Sequence, residues 1–255
     1  MKILRKIGWE IWLPLLLLAV WGIVSAGSTS FYFPPLAKIL ETFGADWLFE
    51  NVPTTLVSSL QRLAAGYALA VVTGVLVGLL FGVFRLLEVA FAPVMEFFRA
   101  MPSVAMIPIM ILLFGPGQEM KIATIAFVGF FPIMLNTVDG VRALNEQLKD
   151  VAVSYRISFL DRMRFLYLPA AAPQVFAGAR IALSLCIMAM AVCEMVGTPG
   201  GVGFFVLDAQ RSFRIPSMWS GIIALGITGY VLNKLFLLVE NRALAWHRGM
   251  TDHQR

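Results

Sequence analysis

Charge is scarce in this sequence. Only 14% of its 255 residues are Asp, Glu, Lys or Arg, while 59% are hydrophobic. Soluble domains carry about 25% charged residues, so a chain this poor in charge needs lipid as its solvent. Cysteine is nearly absent. Cys186 and Cys193 are the only two, seven residues apart in one apolar stretch. On a helix they share a face but are too far apart to bond to each other. They read as small core residues, with no disulfide framework and no metal-ligand spacing. The only histidines, His247 and His253, sit in the tail. They read as solvated and cannot build a Ser/His/Asp grouping. No Gly-Lys pair occurs anywhere, so the usual phosphate-cradling loop of an ATPase is missing. No buried carboxylate pair, low-complexity tract or obvious internal repeat is visible.

What is present is hydrophobic length. A membrane span needs about 20 mostly apolar residues. Six such segments can be read, at about 11–27, 56–84, 88–115, 120–139, 172–196 and 218–241. The first follows Lys2, Arg5 and Lys6. It reads as a retained span rather than a cleaved leader, because the chain continues apolar after it. The third contains Arg99 and is expected to break at Pro102 and Pro108. The segments are continuous apolar runs, not short alternating strands, which selects helices over a barrel. The expected fold is all-α: a polytopic membrane helix bundle of about six spans, forming one domain over residues 1–255.

The positive charges give an orientation. With both termini in the cytoplasm, the inside flanks hold Lys2, Arg5, Lys6, Arg85, Arg142, Lys149, Arg156, Arg162, Arg164, Arg242, Arg248 and Arg255, against Lys38, Lys121, Arg211 and Arg214 outside. The net charge of +5 therefore reads as topology rather than as nucleic-acid binding. Outside, the Phe33–Pro35 turn leads into an amphipathic run, LAKILETF, and GTPGGVG reads as a plain turn at a span end.

The largest inside loop, about 140–171, carries the clearest signal. Leu144, Leu148, Val151, Ala152 and Tyr155 follow helical spacing on one face. A second helix can begin at Ser158, capped by its hydroxyl with Asp161 three residues on. Pro169 is expected to stop it. The result is a pair of short helices with a bend around Arg156–Ser158. On physical grounds it either docks into a groove on a partner or lies on its own bundle or the lipid surface.

This loop resembles the coupling motif of binding-protein-dependent ABC importer permeases. That pattern is an acidic residue, two small residues, three variable positions, a glycine, nine variable positions, then an aliphatic residue, any residue and Leu-Pro. Here it reads Asp150-Val151-Ala152, then Arg156, then Leu166-Tyr167-Leu168-Pro169. Asp150 stands where Glu is usual. Arg156 stands where Gly is usual, and a positive φ there would strain Arg by roughly 1–2 kcal/mol. Glu96–Gly117, Phe130–Val141 and Ala177–Phe205 are similar to the nitrate/sulfonate/taurine class, in the same order along the chain.

The resemblance implies a type I ABC importer-like permease that is not itself catalytic. It implies pairing with a second permease, usually an identical copy, and two cytoplasmic ATPase subunits docked under the coupling loops. ATP and Mg belong to those subunits, and this chain needs no cofactor. A separate extracytoplasmic binding protein would deliver the substrate. That substrate is expected to be a small anion such as nitrate, a sulfonate or taurine, although related permeases carry other solutes, including vitamin precursors. The alternatives are a secondary transporter or channel working on intramembrane ionisable groups, and a membrane enzyme. Scarce intramembrane carboxylates argue against the first, and the lack of a nucleophile, metal or acid–base set against the second.

Three further positions stay open at this point. Arg99 either lines a pathway or gate, or forms a structural pair or reaches to an interface. Glu194 has the same choice, and can lie at the outer surface. Asn136 either lines the pathway or hydrogen-bonds a neighbouring helix. Gly74, Gly78 and Gly82 recur every four residues, which lets helices approach closely. Packing within the chain is the expected use.

Overall fold

Helix follows apolar run almost everywhere in the computed structural model, which describes residues 2–47 and 52–246. His247, Arg248, His253 and Arg255 lie outside the described residues. Helix α1 spans Lys2–Ser25. A turn leads to α2, Leu36–Ala45, the amphipathic run expected after the Phe33–Pro35 turn. Next come α3, Val57–Val83, α4, Arg85–Ala100, and α5, Ile107–Phe114. Helix α6 covers Gln118–Arg142. The inside loop holds α7, Glu146–Ser154, and α8, Phe159–Arg162. Helix α9 runs Leu168–Val196, α10 Val202–Arg211 and α11 Ile215–Ala243.

Among the described residues, four helical stretches are long and apolar enough to cross a membrane: Thr54–Val83, Gln118–Arg142, Phe159–Val196 and Ile215–Ala243. Helices α4 and α5 make a fifth, broken one, bent by 98°. In α1 the described apolar run is Leu15–Ser25. Six spans is therefore compatible with the fold but not an exact count. The break lies at Met101–Pro102. Pro108 does not break a helix; it sits in the first turn of α5, where its missing N–H costs nothing.

The core is a three-helix layer, α3 against α6 and α6 against α9. Its first seam is built from small residues. Gly66, Ala70, Gly74, Gly78 and Gly82 fall every four residues down one face of α3. A Cβ on Gly66 would lie 2.7 Å from Ile125, one on Gly74 2.9 Å from Ile133, one on Gly78 2.5 Å from Thr137 and one on Gly82 2.6 Å from Val141. The stripe thus packs within the chain, and the β-branched ridge of α6 fills it. The second seam repeats the device. Gly129 faces Cys186, Gly140 faces Ala171, and Gly178 faces Asn136. Cys186 and Cys193 are both free and buried.

Helix α11 covers the core's flank, and α2 and α10 roof it at the end that the charge pattern expects outside, called the outer end. There Trp47 packs with Val202 and Ala224, and its indole N–H donates to Ser220 Oγ at 3.2 Å. At the opposite end, expected inside and called the inner end, Leu79, Val141, Leu144, Tyr167 and Ala171 form one buried cluster that ties the 140–171 loop, the inside loop of the charge pattern, to α3, α6 and α9.

Pro169 does not stop the second loop helix. The helix runs on from Phe159 to Val196 through a π-turn at Met163–Tyr167, where the Leu168 N–H bonds Met163 O. The wider turn relaxes the clash that a proline ring makes with the carbonyl four residues back. A local steric rule gives way to one extra residue in the turn.

Candidate functional site

Two regions concentrate polar contacts among the described residues: the inside loop, and a buried knot at the outer end.

The inside loop has the expected two-helix form. Asn145 caps α7, its side chain accepting from Gln147 N at 2.9 Å. Ser158 caps α8: its Oγ accepts from Asp161 N at 3.2 Å and its hydroxyl donates to Asp161 Oδ2 at 2.6 Å. Between them the chain reverses through a Schellman motif. Arg156 N donates to Val153 O at 2.9 Å, and Ile157 N to Ala152 O at 3.0 Å. The motif puts its turning residue at positive φ, and Arg156 sits at 53°. So Arg occupies the left-handed conformation that Gly adopts freely. Its side chain makes no hydrogen bond or ion pair among the described residues. Arg156→Gly should therefore relieve strain and stabilise the turn by up to about 1 kcal/mol. The amide of Ile157 is expected to exchange with deuterium up to about fivefold more slowly. Faster exchange would show that the arginine side chain holds the turn.

The apolar residues of α7 divide between two faces. Ala152 is 4% exposed and turned onto its own chain. Leu148 and Val151 are each 50% exposed and Tyr155 79%. The sequence pattern grouped all four on one face, but the small residue faces inward, where only a methyl group fits, and the large ones face out. Asp150 and Arg156 are exposed. Leu166 packs against the inner core cluster, Pro169 is half-buried and Leu168 is 38% exposed. The ring of Phe159 meets Phe84 at 5.7 Å, pinning α8 to the α3–α4 corner.

The outer knot was not legible as a unit. Glu194 is not at the surface; it is fully buried. Its Oε1 lies 2.7 Å from Arg62 Nη1. Ser59 Oγ donates to it at 2.8 Å, and Gly203 N donates to its Oε2 at 3.0 Å. Arg62 also donates from Nε to Gln118 and from Nη1 to Gly200 O at 3.1 Å. Lys121, fully buried, donates to Thr198 O at 2.8 Å. Glycine is required above this carboxylate. Gly201 has φ 101°, and a Cβ there would fall 2.2 Å from Glu194 Cδ. The GTPGGVG turn is thus bolted through Arg62, Lys121 and Glu194 to α3, α6 and α9. The sequence marked Glu194 as an ionisable residue that either lines a pathway or forms a structural pair, and it did not single out Arg62 as the partner.

Asn136 donates to Pro132 O within its own helix at 2.8 Å and packs on Gly178. Arg99 lies in the last turn of α4, just before the break. It is exposed and lines two clefts, one shared with Glu88, Glu96 and Met134 and one with Phe98, Ser103 and Leu185. The structure does not bring Arg99, Asn136 and Glu194 together.

The family described as binding-protein-dependent transport system inner membrane component matches residues 70–243. The chain is 29% identical over 250 residues to a protein named as an aliphatic sulfonates transport permease in Bacillus subtilis, covering 95% of this chain and 89% of that one. It is 34% identical over 187 residues to the nitrate import permease protein of Leptolyngbya laminosa, covering 73% and 67%. In fold it is similar to a chain of the MetNI methionine ABC transporter, with a TM-score of 0.61 at 20% identity, covering 74% and 92%.

Proposed function

The chain belongs to the binding-protein-dependent transport system inner membrane component family, and from that premise we propose that it is the permease of an ATP-driven importer of small anions, coupled to its ATPase through the α7–α8 loop. It is an ABC-type transport permease of the nitrate/sulfonate class and a multi-pass protein of the inner membrane. The proposal adds four things to that. Two copies of the chain pair in the membrane. Two ATPase subunits, carrying ATP and Mg, dock beneath Asp150, Val151, Ala152, Tyr155 and Arg156. A binding protein delivers substrate at the outer end, and both termini lie in the cytoplasm, as the charge split favours.

One observation carries the coupling: Leu148, Val151 and Tyr155 form an exposed apolar face on a helix outside the spans. The chain's own core does not account for it. A partner groove does, because helix-in-groove recognition uses anchors at i, i+3 and i+7. Leu166 and Tyr167 root the same loop in the inner core cluster, so a push on α7 reaches α3, α6 and α9. Ala152 acts from within, by letting α7 sit close to the bundle. A secondary transporter has no use for this face.

The test is ATPase co-purification together with ATP-driven uptake. Tyr155→Ala and Val151→Asp should leave the amount of permease in the membrane unchanged, because both residues are exposed and outside the spans. Each should weaken ATPase association by more than about tenfold, since a buried aromatic anchor is worth about 2 kcal/mol or more. Full ATPase binding and full uptake in both variants would reject the loop as the coupling element.

A further inference from the structure

The membrane-embedded cations of the core are engaged. Arg62 pairs with Glu194, Lys121 with Thr198 O, and Arg180 with Glu240 at 2.8 Å. Arg99 is the exception: it makes no hydrogen bond or ion pair among the described residues. Its depth makes that costly. Phe98 meets Phe127 edge-on at 6.0 Å, and the cleft beside Arg99 is walled by Phe131 and Leu185, which lie near the middle of α6 and α9. Arg99 thus stands close to the bilayer midplane, where an arginine costs at least about 2.5–3.5 kcal/mol. Such a residue persists where water or a counter-ion reaches it. Its place in the last turn of α4 favours a cation through the helix dipole, but leaves its five N–H donors without acceptors.

We propose that Arg99, with Ser103, forms an anion-binding subsite at mid-membrane, a station for a small oxyanion such as nitrate or a sulfonate on its way through. This deepens the permease reading and rests on it. The cleft is about 210 Å³. Its polar side chains are the Arg99 guanidinium and the Ser103 hydroxyl; the aromatic and aliphatic remainder lowers the local dielectric and strengthens the attraction. A guanidinium presents a planar fork of donors that matches two oxygens of an oxyanion. One charge and one hydroxyl make a weak site, as conduction requires, since the ion must also leave. Arg99 lines both clefts at the end of α4, beside the 98° break. Glu96, in the second cleft, forms no ion pair with Arg99 and would repel the same anion, giving it a direction of lower energy toward Ser103.

The test probes charge selectivity directly. Ser103→Cys is introduced into the assembled transporter with Cys186 and Cys193 replaced by alanine. Membrane vesicles are then treated with an anionic reagent, sulfonatoethyl methanethiosulfonate, and a cationic one, trimethylammonioethyl methanethiosulfonate. The introduced thiol should prefer the anionic reagent, and adding Arg99→Gln should lower the anionic-to-cationic rate ratio by about tenfold, while Arg99→Lys keeps most of it. A thiol unreactive to both reagents, or a ratio indifferent to Arg99, overturns the subsite. In parallel, uptake of nitrate, bicarbonate and ethanesulfonate is measured. Arg99→Gln should lower uptake by about tenfold or more while ATP hydrolysis stimulated by the binding protein stays within about twofold. Retained uptake overturns the proposal. So does joint loss of uptake and stimulation, or rescue by Glu96→Gln, either of which marks a structural role. If the unaltered transporter moves none of the three anions, the substrate class proposed above fails, and the labelling ratio still decides the site.

Discussion

Glu194→Ala is expected to be among the most damaging single substitutions in the chain, at about 3–5 kcal/mol. The carboxylate is fully buried and accepts from Arg62, Ser59 and Gly203. Removing it leaves the Arg62 guanidinium, only 5% exposed, as an uncompensated buried charge. It also strands the amide of Gly203, at about 1–3 kcal/mol if water does not enter, while the Ser59 hydroxyl keeps Thr55 O as an acceptor at 3.3 Å. At about 2–4 °C per kcal/mol, the apparent melting temperature of the detergent-solubilised chain should drop by roughly 10 °C. Glu194→Gln should fall between, keeping an acceptor for Ser59 but losing the charge that holds Arg62. The double variant Arg62→Met, Glu194→Met should recover part of the loss, because it removes the unpaired guanidinium, while the Gly203 amide still lacks its acceptor. The measurement is the fraction of monodisperse protein after stepwise heating. A melting temperature for Glu194→Ala equal to that of the unaltered chain would mean the knot does not hold the outer end together.

That knot also shows why sequence reading reached some features and not others. Apolar length is a property of a segment, so the spans were visible at once. The Ser158 cap was visible because donor and acceptor are three residues apart, and the turn at Arg156 because a family pattern marked where a glycine belongs. Arg62 and Glu194 are 132 residues apart, and no local rule joins them. Ala152 misled for a different reason. Alanine fits either face of an amphipathic helix, so periodicity alone placed it with Leu148 and Tyr155, when its size was the informative property. Pro169 misled because the rule applied to it assumes α geometry, and the π-turn at Met163–Tyr167 sets that assumption aside. For the glycines of α3, the spacing of Gly74, Gly78 and Gly82 announced a close approach. The ridge of α6 that fills it could be found only in three dimensions.

Gly78→Leu should break that approach. Even a Cβ at position 78 would lie 2.5 Å from Thr137 Cβ and 2.7 Å from Met134 O. The first contact involves a β-branched side chain with little rotamer freedom in a helix. The second is backbone and cannot turn aside. Alanine alone should therefore overpack the seam by about 1–3 kcal/mol, and leucine must push α3 off α6 along several neighbouring contacts. The displacement cannot stay local. Gly74 and Gly82, one turn away on each side, are held nearly as closely by Ile133 and Val141, and Val141 belongs to the inner cluster that roots the α7–α8 loop. Gly78→Leu is thus expected to yield little monodisperse protein, and Gly78→Ala to yield folded protein of lower melting temperature and weaker uptake. Gly226→Ala is the control. It lies on α11 with nothing within 4 Å of the added carbon, so it should be neutral or gain up to about 1 kcal/mol from helix propensity. If Gly78→Leu matches Gly226→Ala in yield, melting temperature and uptake, the small-residue face of α3 is not what seats it on α6.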